Sequence, residues 1–511
     1  MKTLFKTVAL ISVFSFLTRV AGFVFRIILS RVVGAEGMGL YQVASSVFMV
    51  LLTVISSGIP LIISRMTAGY NARKEQGKEG KLVAVALVYV LILSIVLCAI
   101  VLLFRSLFSN LFTDERCIQI LIILLPSLVF SSVYCVLRGA LWGRNNYFAL
   151  CVSEFYEQLV HIVVGILLIN ASLTAIDNAK NLAWSMTIAC LLSMIFVVLL
   201  YFYYGGKIGK LKKGYLKPLI KESTPITFMK VAGSFIQPII ALIIPAQLIK
   251  IGYTSSQALS LYGIASGMTL PLLFIPTTII GSLSTALIPD ISTAIAQNDK
   301  NHIAKRITTS INFSLVMAAM FVPIFLGIGE FLGIFLYDNV LSGTLLQSAA
   351  WALIPLGFTN ISSALLNSLG LENKSFIHFV IGAVVMFISL WFLPSIMGIN
   401  ALIWAMGLNY LTIAILNIAL LKRKTKVELK LLPQLLKILL ITIPSSALTA
   451  FIVNLCNFAF PLFITIVIGG ATALISFIAL AGVFNLIDIK AYMFKIKSQF
   501  KFKKLKPKHA K

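Results

Sequence analysis

The sequence predicts an all-α integral membrane protein, and three observations carry that prediction. Of its 511 residues 59% are hydrophobic and only 11% charged, with a mean hydropathy of +1.01. A water-soluble chain needs far more charge to cover its outside, and 36 Phe would leave it a surface that aggregates. The apolar residues also gather in runs of roughly 20, the length that crosses a hydrocarbon core of about 30 Å as helix, while the alternating ten-residue stretches of a membrane β-barrel are absent. Together these features exclude soluble enzymes and nucleic-acid binders. In a membrane protein the formal charge of +26 is a matter of where the cations lie.

Fourteen spans can be placed, at 7–30, 38–64, 82–104, 117–137, 147–170, 183–203, 225–251, 259–288, 308–334, 346–368, 376–393, 401–421, 432–454 and 461–487. The first imitates a signal peptide, with Lys2 and Lys6 before an apolar stretch. No small-x-small site closes it and the run continues past Arg19 to Ser30, so it is expected to be kept as a helix. With the amino terminus inside, the inner segments hold 34 of the 42 Lys and Arg, and the outer loops only Arg105, Arg116, Lys180 and Lys250. That bias predicts two cytoplasmic termini and an even number of spans. The tail at 488–511, with lysines between Phe and Tyr, suits an anionic inner leaflet, at about 1 kcal/mol per Lys. Its expected partner is anionic lipid and not nucleic acid. Six scattered cysteines form no CxxC pair, and no phosphate-binding loop, metal cluster or nucleophile with its base can be found, so neither a cofactor nor a metal nor a reaction is expected.

The halves resemble each other. GLYQVASSVF at 39–48 parallels SLYGIASGMT at 260–269, GIPLIIS with Pro60 parallels LIPDIST with Pro289, and LWGRNNYF at 141–148 faces LGLENKSF at 369–376, all at offsets near 225. Both halves begin on the same side, so the repeat is parallel: two six-helix bundles about an axis along the membrane normal, the architecture of alternating-access transporters. The expected division is therefore 1–224 for the first bundle with its basic loop, 225–430 for the second, 431–487 for two further helices, and 488–511 for the tail. Pro238 and Pro245 on the seventh span, and Pro271 and Pro276 on the eighth, each delete a backbone donor. They mark either hinges or kinks repaired by neighbours.

Charges inside the spans point to the substrate. Arg19 and Arg26, seven residues apart, share a face of the first helix. Exposing Arg19 to lipid would cost at least about 2.5 kcal/mol, so it should face a cavity or a partner, whereas Arg26 and Arg31 either line that cavity or anchor at the interface. On the fifth span Glu154, Glu157 and His161 form a stripe suited to a salt bridge with Arg19 or to a proton or cation site. Lys230, early in the seventh span, either faces the cavity or snorkels to the interface. Guanidinium groups on the first helix, with no matching acids there, suit an anionic substrate.

FLTRVAGFVFRIILSRVVGAEGMGLYQ at 16–42, VLRGALWGRNNYFALCVSEFYEQLV at 136–160 and FIPTTIIGSLSTALIPDIS at 274–292 resemble the stage V sporulation protein B family. That family belongs to the polysaccharide-flippase branch of a superfamily that also holds multidrug and toxin extruders and the MurJ lipid II flippases. The resemblance implies a bacterial cell-membrane flippase that moves a polyprenyl-pyrophosphate-linked saccharide, a lipid II-like or polysaccharide precursor, from the inner to the outer leaflet for the spore cortex. It implies a central cationic cavity, a lateral groove at the last two helices for the lipid tail, and cell-wall synthases as protein partners. Arg19 falls on the family's first cavity arginine. The second comes six residues later in the MurJ pattern, where this chain has Phe25 and then Arg26, and the arginines that MurJ flippases carry in the second and eighth helices have no counterpart in 38–64 or 259–288. A cation-coupled drug or metabolite exporter on the same fold is the alternative, and a membrane scaffold without transport a third.

Overall fold

In hydrocarbon every backbone amide must find its partner within its own segment, so apolar runs of this length become helices. The computed structural model describes residues 2–75, 77–281, 291, 300–427, 431–484 and 486, and every regular element among them is helical. In chain order these are α1 (Lys2–Ser56), α2 (Ile59–Ala72), α3 (Lys78–Leu103), α4 (Arg105–Leu111), α5 (Arg116–Gly143), α6 (Tyr147–Leu168), α7 (Ala175–Tyr203), α8 (Leu216–Ser234), α9 (Ile236–Lys250) and α10 (Ser255–Gly263). They continue with α11 (Leu270–Leu273), α12 (Ile275–Gly281), α13 (Lys300–Tyr337), α14 (Val340–Ala349), α15 (Leu353–Ser368), α16 (Glu372–Phe392), α17 (Pro394–Met397), α18 (Asn400–Thr425), α19 (Leu431–Ala459) and α20 (Leu462–Val483). The basic tail and Pro289 lie outside the described residues.

Among the described residues twelve helical runs are long and apolar enough to cross a membrane, or thirteen with the bent run from α10 to α12. The first of them, Leu10–Ala72, is 63 residues. At 1.5 Å per residue it extends about 95 Å, far more than one crossing. Gly34, with φ 74 and ψ 173, breaks it into two arms, a conformation that costs an L side chain dearly. Counting the arms separately gives the fourteen crossings expected. The loop expected at 31–37 is thus a single kinked glycine. A second break follows at Ser57 and Gly58, after which α2 runs to Ala72, past the boundary expected at 64.

Prolines locate the other breaks. Pro238 is the third residue of α9, and its ring takes the space of the Ser234 carbonyl at the end of α8. Between α10 and α11 the chain adopts a π-helix over Ile264–Thr269, with Pro271 just beyond it, and a 40° bend separates α11 from α12, where Pro276 is the second residue.

The chain packs as two compact units, one of Met1–Met268 with Leu390–Ile399 and the other of Thr269–Ser389 with Asn400–Lys511. This packing division falls later than the 224/225 boundary drawn from the repeat, because α8, α9 and α10 lie against α1. In the first unit the contact of α1 with α10 is backbone on backbone: a Cβ on Gly39 would collide with the Leu259 carbonyl, and one on Gly263 with the Ala35 carbonyl. α5 meets α2 through Gly139 and Gly143, whose Cβ positions are 2.7 Å from the Pro60 carbonyl and 2.5 Å from that of Ser64. This small-x3-small stripe lets two membrane helices touch. α6 runs parallel to the first arm of α1, with Phe155 edge-on to Phe14 at 5.8 Å and His161 edge-on to Phe25 at 5.2 Å. In the second unit a core that includes Ile311, Leu365, Ile418, Ile441 and Phe477 joins α13, α15, α18, α19 and α20. The last two helices close on α13 where Gly327 meets Thr449 and Gly469 meets Ile328.

Candidate functional site

Within the first unit, a cavity of about 510 Å³ opens among α1, α2, α5, α6 and α8. Helical periodicity builds its walls. Ile11, Phe14, Ser15 and Thr18 come from one face of α1, Cys135, Arg138, Gly139 and Trp142 from one face of α5, and Tyr147, Leu150, Cys151 and Glu154 from one face of α6. Ser56 and Ser57 at the break after α1, together with Pro60 and Leu61 in the first turn of α2, form the fourth wall. Lys230 of α8 completes the lining.

Two cations thus share the cavity with one carboxylate, and that carboxylate is engaged: the Arg138 guanidinium donates to Glu154. Arg138 lies deep among helices, yet keeps 37% of its side-chain surface open through the cavity, against 48% for Glu154. Its other flank lies 5.9 Å from the Tyr134 ring. Lys230 is exposed and has no acid partner among the described residues.

The residues singled out from sequence are distributed more widely. Arg19 is exposed, next in the chain to Thr18 and about 100° round the helix from the cavity wall. It has no ion pair among the described residues, so the acidic stripe of α6 meets Arg138 and not Arg19. Arg26 is half-buried, within electrostatic reach of Tyr41, and Arg31 is exposed. Glu157 lies beside Tyr134 and Arg138, one turn beyond Glu154. The imidazole of His161 is packed on Phe25, with Nε2 buried and without a hydrogen-bond partner among the described residues. Pro238, Pro271 and Pro276 sit at or beside the helix breaks described above, whereas Pro245 lies inside α9. No group of three metal-ligating side chains occurs among the described residues.

Arg138 is the residue that sequence reasoning left out of the candidate site, because it falls just past the expected end of its span. The span expected to stop at 137 continues to Gly143. The signal was present in the spacing of Gly139 and Gly143, a stripe that only a continuing helix can use. Arg144, one residue past the helix, has a different position. It pairs with Glu79 at the start of α3, donates to the Tyr204 carbonyl at 2.8 Å, and lies 5.4 Å from the Tyr201 ring. With side chains 20% and 10% exposed, Arg144 and Glu79 fasten three helix ends together.

On the opposite rim of the unit Arg116 bridges Asp114 and Glu36 at 2.8 Å each, and Asp114 also accepts from Ser255 at 2.9 Å. Burial alone would raise the Asp114 carboxyl, but the hydrogen bonds from the Arg116 side chain and backbone, and from Ser255, outweigh it and hold the group below the usual carboxylate range.

Comparison with known proteins places this arrangement in context. A family model described as polysaccharide biosynthesis protein matches residues 4–295. Stage V sporulation protein B of Bacillus subtilis (strain 168) is 27% identical over 384 residues, covering 72% of this chain and 73% of the relative. Lipid II flippase MurJ of the same organism is 20% identical over 454 residues, 82% of each chain. Among solved structures, a lipid II flippase MurJ in an inward closed conformation superposes with a TM-score of 0.71 at 15% identity, over 93% of this chain and 98% of that one. An inward-facing multidrug resistance transporter of the MATE family and MOP superfamily gives 0.67 at 14% identity, over 80% and 94%.

Proposed function

The chain belongs to the polysaccharide biosynthesis protein family and has the helical fold of MOP-superfamily transporters, and from that premise we propose that it flips a lipid-linked saccharide across the bacterial cell membrane. The observation that carries this reading is the charge of the cavity in the first unit: Arg138 and Lys230 against Glu154, the one carboxylate in its lining. An apolar wall studded with two cations suits a sugar phosphate head group, since guanidinium and ammonium supply charge-assisted donors. The cargo is a polyprenyl-pyrophosphate saccharide of the lipid II type. Its phosphate oxygens compete with Glu154 for Arg138, so the resting ion pair keeps the guanidinium oriented without committing it. Arg19 and Arg26 add two further cations on α1, outside the cavity lining itself.

Alternating access needs spans that bend, and the breaks at Pro238, Pro271 and Pro276, with Pro245 inside α9, provide backbone that has already left the regular ladder. With both termini and the lysine-rich loop after α7 on the inner side, as the charge bias dictates, an inside-negative potential drives the anionic head group outward. Each charge gains roughly 2.3 kcal/mol per 100 mV. A proton route is the rival source of energy, favoured by His161, one turn from Glu157, whose Nε2 has no hydrogen-bond partner among the described residues. A cation-coupled drug exporter on this fold would place acids where this cavity has cations.

The test is reconstitution in liposomes with a fluorescent polyprenyl-pyrophosphate saccharide, following its arrival in the outer leaflet. Transport that falls in Lys230→Ala and survives removal of the pH gradient supports potential-driven flipping. Transport of lipophilic cations but not of the lipid-linked saccharide would replace this reading with the exporter. Clamping the potential to zero while keeping full net accumulation would remove the potential as driver.

A further inference from the structure

A second concavity, of about 460 Å³, lies on the outside of the first unit, between α3 and the loop that links α7 to α8. Val85, Val88, Tyr89, Ile92 and Val96 of α3 form a stripe at i, i+3, i+4, i+7 and i+11, closed on one side by Leu211 and Leu216. The stripe runs about 16 Å along the helix, roughly the depth of one leaflet's share of the hydrocarbon core. Val88, Ile92 and Val96 are 40%, 58% and 46% exposed on a membrane-crossing helix, so an extended acyl chain fits where they are bare.

The mouth of this groove is cationic. Lys212 lines it, and Lys207, Lys210 and Lys217 flank it in the chain, all exposed and none with an acid partner among the described residues. The neighbouring acids are taken: Glu75 by Lys78, Glu79 by Arg144 and Glu222 by Arg65. The lysines also sit on an ordered loop. Gly209 N–H donates to the Gly80 carbonyl at 2.9 Å, the Tyr201 hydroxyl donates to the Lys207 carbonyl at 3.1 Å, and Tyr215 lies edge-on to Tyr70 at 6.2 Å. This fastening holds the lysines in place before a ligand arrives, and such preordering removes entropy cost from the bound state.

We propose that this groove binds one anionic phospholipid, with an acyl chain along the Val85–Val96 stripe and the headgroup phosphate at Lys212 and its neighbours. The site is separate from the transport cavity, and the proposal holds whatever the cargo is. Native mass spectrometry of the purified full chain, titrated with phosphatidylglycerol or phosphatidylcholine, tests it. The wild type should take up a first phosphatidylglycerol well before phosphatidylcholine. The Lys210→Gln/Lys212→Gln pair should weaken phosphatidylglycerol binding by about fivefold per lysine and leave phosphatidylcholine unchanged, and Lys210→Arg/Lys212→Arg should retain it. Ile92→Trp, which fills the groove and leaves every charge in place, should reduce binding of both lipids. Equal uptake of the two lipids by the wild type, or an undiminished preference in the Gln pair, overturns the proposal. So does a dimer mass that Ile92→Trp abolishes, which would give the groove to a second copy of the chain.

Discussion

Arg138→Gln separates a functional arginine from a structural one, because the structure supplies a control six residues away. The Arg138–Glu154 pair is open to water, at 37% and 48% side-chain exposure, and screened pairs of this kind contribute roughly 0.2–1 kcal/mol to stability. Arg144 and Glu79 are 20% and 10% exposed and hold the Tyr204 carbonyl as well, and removing one partner of a buried pair costs about 3–5 kcal/mol. In heating of purified protein followed by size exclusion, Arg144→Gln should therefore lose monodispersity at a clearly lower temperature, and Arg138→Gln close to that of the wild type. Transport should rank the two differently. A charge-assisted hydrogen bond to phosphate is worth about 1.5–3 kcal/mol, so Arg138→Gln should slow lipid-linked saccharide flipping by roughly 10- to 100-fold at unchanged expression. Full transport by Arg138→Gln, or destabilisation equal to that of Arg144→Gln, would refute the assignment of Arg138 to the cargo.

Three further outcomes are expected. Gly143→Val places a methyl-bearing carbon 2.5 Å from the Ser64 carbonyl and 2.6 Å from Thr67 Cβ, so α2 and α5 must part by close to 1 Å, at a cost of about 1–3 kcal/mol; cysteine crosslinking between the two helices should fall. Because the folded-state pKa of Asp114 is depressed, its contribution to stability is complete above the unfolded value near 3.9 and disappears as pH falls through the folded value. Asp114→Asn should thus flatten the acid limb of a stability profile below about pH 4 and leave Ser255→Ala with little further effect. A single cysteine at Ile208, in a background without the native cysteines, should resist an impermeant thiol reagent in intact cells, and its labelling would reverse the topology.

Much of the fold was legible in the sequence because span length and loop charge are set by the bilayer, a solvent common to all such proteins. The exceptions were local. A seven-residue loop at 31–37 was expected where one glycine with positive φ suffices, since hydropathy reports only that polarity rises there. The boundary at 137 came too early for the same reason: Arg138 breaks an apolar run without breaking a helix. The cavity was harder to read. Lys230 could be named as a candidate, but the pairing of Glu154 with Arg138, and the placing of Thr18 rather than Arg19 in the wall, depend on how α1, α5 and α6 rotate about their axes. Rotation is set by side-chain contacts such as Phe14 with Phe155 and Phe25 with His161, which no single-helix pattern contains.

The meeting of Gly39 with Leu259, and of Gly263 with Ala35, has a bearing on how this sequence can drift. Elsewhere in the bilayer one apolar side chain can replace another if a neighbour shrinks in return. At these two positions the obstruction is carbonyl oxygen, which every amino acid carries, so no second substitution can make room for the first. Replacing either glycine removes the close approach itself. A saturation library selected for function should accordingly be barren at 39 and 263 and permissive one helical turn away, and no pair of substitutions drawn from the two helices should rescue either position.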